Sequence, residues 1–131
     1  MKILIHFFIT FVVFLGIDLI WLGFIAKDLY ANAIGHLMTD NVNWLAAIIF
    51  YMLFVLGILY FVLEPALIHG DIKKLMISAA LFGFMTYATY DLTNLATLRN
   101  WPLTITIIDL LWGSSLSLIV SLLSFYIIKL I

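Results

Sequence analysis

Four apolar stretches, each long enough to reach across a lipid bilayer, dictate what this chain can become. They run over residues 3–26, 44–63, 75–98 and 103–128. A helix rises about 1.5 Å per residue, so roughly 20 apolar residues cover the ~30 Å of hydrocarbon. In that medium only helices and closed barrels satisfy every backbone N–H and C=O, and stretches of this length read as helices. The expected fold is all-α, an integral membrane four-helix bundle in one transmembrane domain. Composition leaves little alternative: of 131 residues, 66% are hydrophobic and 10% charged, against about a quarter charged in a soluble domain. The first stretch exceeds the roughly 7–15 apolar residues of a signal peptide and lacks a small-residue exit, so it reads as a retained span. There is no cysteine, which excludes disulfides and thiolate metal sites. The few basic residues are scattered and give no footprint for nucleic acid.

The connections organise these spans. Residues 99–102 make a very short turn, so the last two spans are antiparallel neighbours. Asn43 and Asn100 each precede a tryptophan and suit helix N-caps. Pro102 falls in the first turn of the last helix, where a missing N–H costs nothing. Glu64-Pro65 and His69-Gly70-Asp71 mark the other turn. Lys2, Lys73, Lys74 and Lys129 fall on one side, Lys27 and Arg99 on the other. The positive-inside rule then puts both termini in the cytoplasm. In the loop 27–43, Leu29, Tyr30, Ala33, Ile34, Leu37 and Met38 recur at helical spacing, which fits a short surface helix or an ordinary loop. Asp18-Leu19 lies nine residues before Lys27, Asp91-Leu92 eight before Arg99, and Asn-Trp then opens the next span in both halves. This spacing fits two helix-pair repeats.

Three acids carry the functional signal. Asp18 lies about 13 Å below Lys27, Asp91 about 12 Å below Arg99, and Asp109 about 10 Å below Pro102, counting helical rise. All three should share one depth, in the outer half of the bilayer. Each central Asp adds roughly 2.5–3.5 kcal/mol to insertion, so such acids turn inward, and here no Lys or Arg sits at their level. Protons or a bound cation must balance them. On the third span Tyr87, Asp91 and Asn94 form one stripe, with Gly83, Thr86, Tyr90, Thr93 and Thr97 beside it. On the fourth, Asp109 shares a face with Gly113 and Ser117, small residues that let helices approach. Trp21 and Trp112 each follow an Asp by three residues, so each indole N–H can donate to the carboxylate one turn away. The candidate proton, cation or pocket residues are therefore Asp18, Asp91, Asp109, Asn94, Tyr87, Tyr90, Thr93, Trp21 and Trp112. The second span, with little polarity, goes to the periphery or an oligomer contact. His6, His36 and His69 are too scattered for one metal site and read as solvated. Trp44 and Trp101 read as interfacial anchors. Neither a metal nor a cofactor is called for.

The run Tyr90-Asp91-Leu92-Thr93-Asn94-Leu95-Ala96-Thr97-Leu98, followed by Trp101-Pro102, resembles the signature of a bacterial family of uncharacterised predicted four-span membrane proteins, domain of unknown function family 2177. Asp18-Leu19-Ile20-Trp21-Leu22-Gly23 and Asp109-Leu110-Leu111-Trp112-Gly113 resemble its first and last motifs, in order. The resemblance implies a protein of the bacterial inner membrane and brings no activity. Three functions remain on the residues alone. Proton- or cation-linked transport of a small solute comes first and favours a homodimer or larger assembly. A non-catalytic lipid-binding or partner subunit follows, its aspartates merely hydrogen-bonding helices together. An enzyme acting on a lipid or isoprenoid comes last, since no nucleophile motif or phosphate loop is present.

Overall fold

The computed structural model describes residues 2–131. In chain order its helices are α1 (Lys2–Ile25), a short α2 (Lys27–Ile34), α3 (Trp44–His69), α4 (Ile72–Thr97) and α5 (Leu103–Leu130). All but α2 are long and apolar enough to cross a membrane, and no strand occurs among the described residues. The protein is an all-α integral membrane bundle. Large apolar side chains stand exposed on every span, among them Leu4, Leu53, Leu81 and Leu111. Lipid is the solvent such a surface requires.

Local chemistry sets the helix ends. The Asn43 side chain accepts the Ala46 N–H at 3.1 Å to start α3, and Asp71 accepts that of Lys74 at 3.1 Å to start α4. Between them Gly70 adopts φ +69°, the left-handed stop that glycine takes without strain. α3 runs past Leu63 and absorbs Pro65 by widening into a π turn over Leu59–Leu63. Pro65 has no N–H to return to Phe61, and its ring crowds that carbonyl. Asn100 does not cap the last helix: Pro102 precedes α5 without a side-chain cap. Asn100 instead takes φ +59° to tighten the turn from α4 into α5.

Helices α4 and α5 pack along their length because glycines face each other at the crossing. A Cβ on Gly83 would fall 2.0 Å from the Gly113 carbonyl oxygen, and one on Gly113 would fall 2.3 Å from Tyr87 Cγ. Helix α1 lies against α5, whereas α1 and α3 touch more sparsely, so the two helix pairs are not packed alike. The apolar core fills the half of the bundle that carries the termini. It is built from Phe14, Phe54, Ile58, Leu63, Leu116 and Val120 with their neighbours. The peripheral place expected for the second span is thus corrected, since Phe54, Val55, Ile58, Leu59, Val62 and Leu63 of α3 are all buried. That span is apolar on every side, so its periodicity marks no inward face. At the termini end, His6 Nδ1 meets Glu64 at 3.1 Å. His6 is therefore a clip between α1 and α3, not a solvated histidine. Trp101 also departs from expectation. It is 7% exposed, donates from Nε1 to Thr106 at 3.0 Å and stands edge-on to Tyr90. It is packed inside the turn, while Trp44 is exposed.

Candidate functional site

Asp18 of α1, Asp91 of α4 and Asp109 of α5 lie six or seven residues inside the helix ends that border α2 and the 98–102 turn. That places them at about 9–11 Å depth along their helices. They are 7%, 0% and 6% exposed. The close α4–α5 crossing brings Asp91 within hydrogen-bonding reach of Asp109, and no donor reaches either oxygen of Asp91. Two carboxylates so placed repel. Repulsion between neighbouring carboxyls is relieved in general when one of them is protonated or when a cation lies between them. The ion pair found among the described residues, His6–Glu64, lies at the other end of the bundle. Asp18 stands apart from this pair, on the wall of the same cavity as Asp109.

Asp109 is also held from outside the four spans. Tyr30 of α2 turns into the bundle and its hydroxyl donates to Asp109 Oδ1, while accepting the Trp21 Nε1 proton at 3.3 Å. Burial, and then the bond to Asp109, push the phenol pKa upward, so Tyr30 stays a protonated donor. The indoles are thus crossed relative to expectation. Trp21, on the Asp18 helix, serves the Tyr30–Asp109 chain. Trp112, on the Asp109 helix, faces Asp18, but its buried Nε1 closes no well-formed hydrogen bond. The two rings stack between the helices, centroids 4.3 Å apart and planes 10° from parallel. Stacking fixes both rings across the α1–α5 seam, which prevents either from folding back along its own helix.

Between these groups lies a cavity of about 450 Å³. Helix α1 contributes Asp18, Trp21 and Leu22; α2 adds Tyr30; α3 adds Ala47, Phe50 and Tyr51. Opposite stand Thr86, Tyr87 and Tyr90 of α4 with Asp109 and Trp112 of α5. The cavity exists because α3 closes on α4 from Leu59 onward but stands off in its first half, where Phe54 bridges to Phe82 and Tyr87. Phe50 and Tyr90, 47% and 57% exposed, border that gap. Asp91 does not line the cavity. It is fully buried beside Asp109.

The other sequence candidates separate. Tyr87 and Tyr90 line the cavity, and Asn94 sits beside Tyr90. Thr93 does not join them. It is exposed, and its hydroxyl donates to the Thr89 carbonyl one turn back. Thr97 bonds Thr93 in the same way at 2.8 Å. A threonine that satisfies itself on its own helix can face lipid, so the polar band of this span is wider than its inward face.

A family model described as "Predicted membrane protein (DUF2177)" matches residues 3–126. The chain belongs to this family. No curated protein and no solved structure matches it. The motifs of this DUF2177 chain supply its acids and indoles, yet the helix-to-helix partner of Asp109 comes from the connection between spans. Tyr30, Phe50 and Tyr51 are the site residues that sequence reading missed. For Tyr30 a trace existed in the apolar stripe of residues 29–38, but nothing in the spacing ties residue 30 to residue 109.

Proposed function

We propose that this membrane protein is a proton-linked carrier of a small solute, seated in the bacterial inner membrane with both termini cytoplasmic. The observation that carries the reading is the Asp91–Asp109 carboxyl pair. One acid is wholly buried and without a donor, and the other borders a cavity large enough for a drug-sized ligand. Such a pair holds a proton when the cavity is empty and can release it when a ligand engages Asp109, which is the elementary step of coupling. A homodimer is part of the proposal, since four helices leave a narrow path.

The test is transport in vesicles. Purified protein, reconstituted with a pH-sensitive dye inside, should move protons when a substrate gradient is imposed. Asp91→Asn and Asp109→Asn proteins, inserted normally, should lose that movement. If both variants keep it in full, the carboxyl pair has no part in coupling and the reading fails. One observation favours a second role. The termini half is closed by the apolar core, as in a protein that binds a lipid or partner from one side without passing anything through.

A further inference from the structure

The cavity walls narrow the class of ligand. Two carboxylates, Asp18 and Asp109, face a space lined mostly by aromatic rings, and no Lys, Arg or His borders it. The stacked Trp21–Trp112 platform lies beside both acids, and tyrosine rings from α3 and α4 close the sides. Carboxylates supply the charge, and ring faces supply the quadrupole that attracts cations desolvated from water. Two polar groups at this site lack partners: the buried Trp112 Nε1, which faces Asp18 without bonding it, and Asp91 behind Asp109. A divalent metal ion fits poorly, because it wants six or more oxygen ligands or an octahedral water shell. Among the described residues no group of three His, Cys, Asp or Glu side chains gathers to hold one. An anion finds no basic side chain to pair with. The open side lies between the first half of α3 and the second half of α4, where Phe50 and Tyr90 stand half exposed at membrane depth.

We infer that the cavity takes a lipophilic organic cation, an amine or onium group on an apolar or aromatic body, which enters laterally from the bilayer between α3 and α4. This rests on the carrier reading and names its substrate class. Charge placed between Asp18 and Asp109 would displace the proton of the carboxyl pair, so binding and proton release are linked.

The experiment measures equilibrium binding of tetraphenylphosphonium to the full chain in nanodiscs, beside tetraphenylborate, which has nearly the same shape and the opposite charge. Saturable binding of the cation and only partition-like uptake of the anion are expected. Affinity should fall as pH is lowered and fall about tenfold or more in Asp18→Asn and in Asp109→Asn, the loss of a charged contact. A pH dye should register proton release on adding the cation. Equal binding of both ions, or unchanged cation affinity in both variants, would overturn the inference, and the comparison of the two ions needs no variant to fold. If tetraphenylphosphonium fails to bind while Asp109-dependent proton movement is intact, the substrate class is wrong and the carrier reading stands. If proton movement is absent too, both go.

Discussion

At Tyr30 one hydroxyl joins α2 to two spans, accepting from Trp21 and donating to Asp109. Tyr30→Phe keeps the ring but leaves two buried polar groups short of a partner. A cost of about 1–3 kcal/mol follows, which a thermal melt in detergent should register as a fall of roughly 4 °C or more. An unchanged melt would mean that the bridge does not form. The same hydroxyl has a pH signature. Its pKa in the fold is raised above the ordinary 10.0, first by burial and then by Asp109. Its stabilising effect is therefore complete below about pH 10 and is lost as pH rises through the raised value. That part of the alkaline loss should vanish in Tyr30→Phe when melting is followed against pH. Asp91 behaves in the opposite sense. No donor holds its carboxyl, so Asp91→Asn, whose amide can donate to Asp109, should melt at or above the parent temperature while losing proton coupling. A marked drop in melting temperature would instead make Asp91 a structural hydrogen-bonding residue.

Helix packing separates residues that look alike in the sequence. Gly83, Gly113 and Gly16 are all span glycines, yet a methyl group at Gly83 meets backbone, one at Gly113 meets the stem of Tyr87, and one at Gly16 meets nothing within 4 Å. Gly83→Ala must therefore push α4 from α5, at about 1–3 kcal/mol or more for overpacking. Gly113→Ala must swing Tyr87 into the cavity, and so should weaken ligand binding more than its melt suggests. Gly16→Ala should melt like the parent. Melts of the three proteins, with cation binding for Gly113→Ala, check the order; equal effects at all three would mean the crossing is looser than described. This is also where legibility ends. Span number and the shared level of the acids could be read because hydropathy and helical rise act along one segment. The small-residue face of α5 was readable as a close approach for the same reason. The inward face of α3 was not, since a helix apolar all round carries no periodic signal. Nor were the crossed indoles and the Tyr30–Asp109 bond, because these depend on which helices become neighbours, and residues 30 and 109 have no local relation.

The bundle interior is asymmetric across the membrane, with the acid-lined cavity in the α2 half and a buried, mainly apolar core in the termini half. A carrier has to visit a second arrangement in which that core parts; a one-sided binding protein does not. Absence of native cysteine makes the distinction directly measurable, because single cysteines can be introduced without removing others. Ala47→Cys, at the cavity wall, should react quickly with an impermeant thiol reagent applied from the α2 side. Ser121→Cys, fully buried in the closed half, should react from the termini side only while the alternative arrangement is open. Minor states separated by a few kcal/mol are populated at roughly 0.1–10%, so labelling of Ser121→Cys should run about ten to a thousand times slower than at an open position. Bound tetraphenylphosphonium should change that rate, because a ligand with different affinities for the two arrangements shifts their populations. Should Ser121→Cys stay unreactive from the termini side over hours, with or without the cation, the core never opens. The carboxyl pair would then serve binding from one face alone.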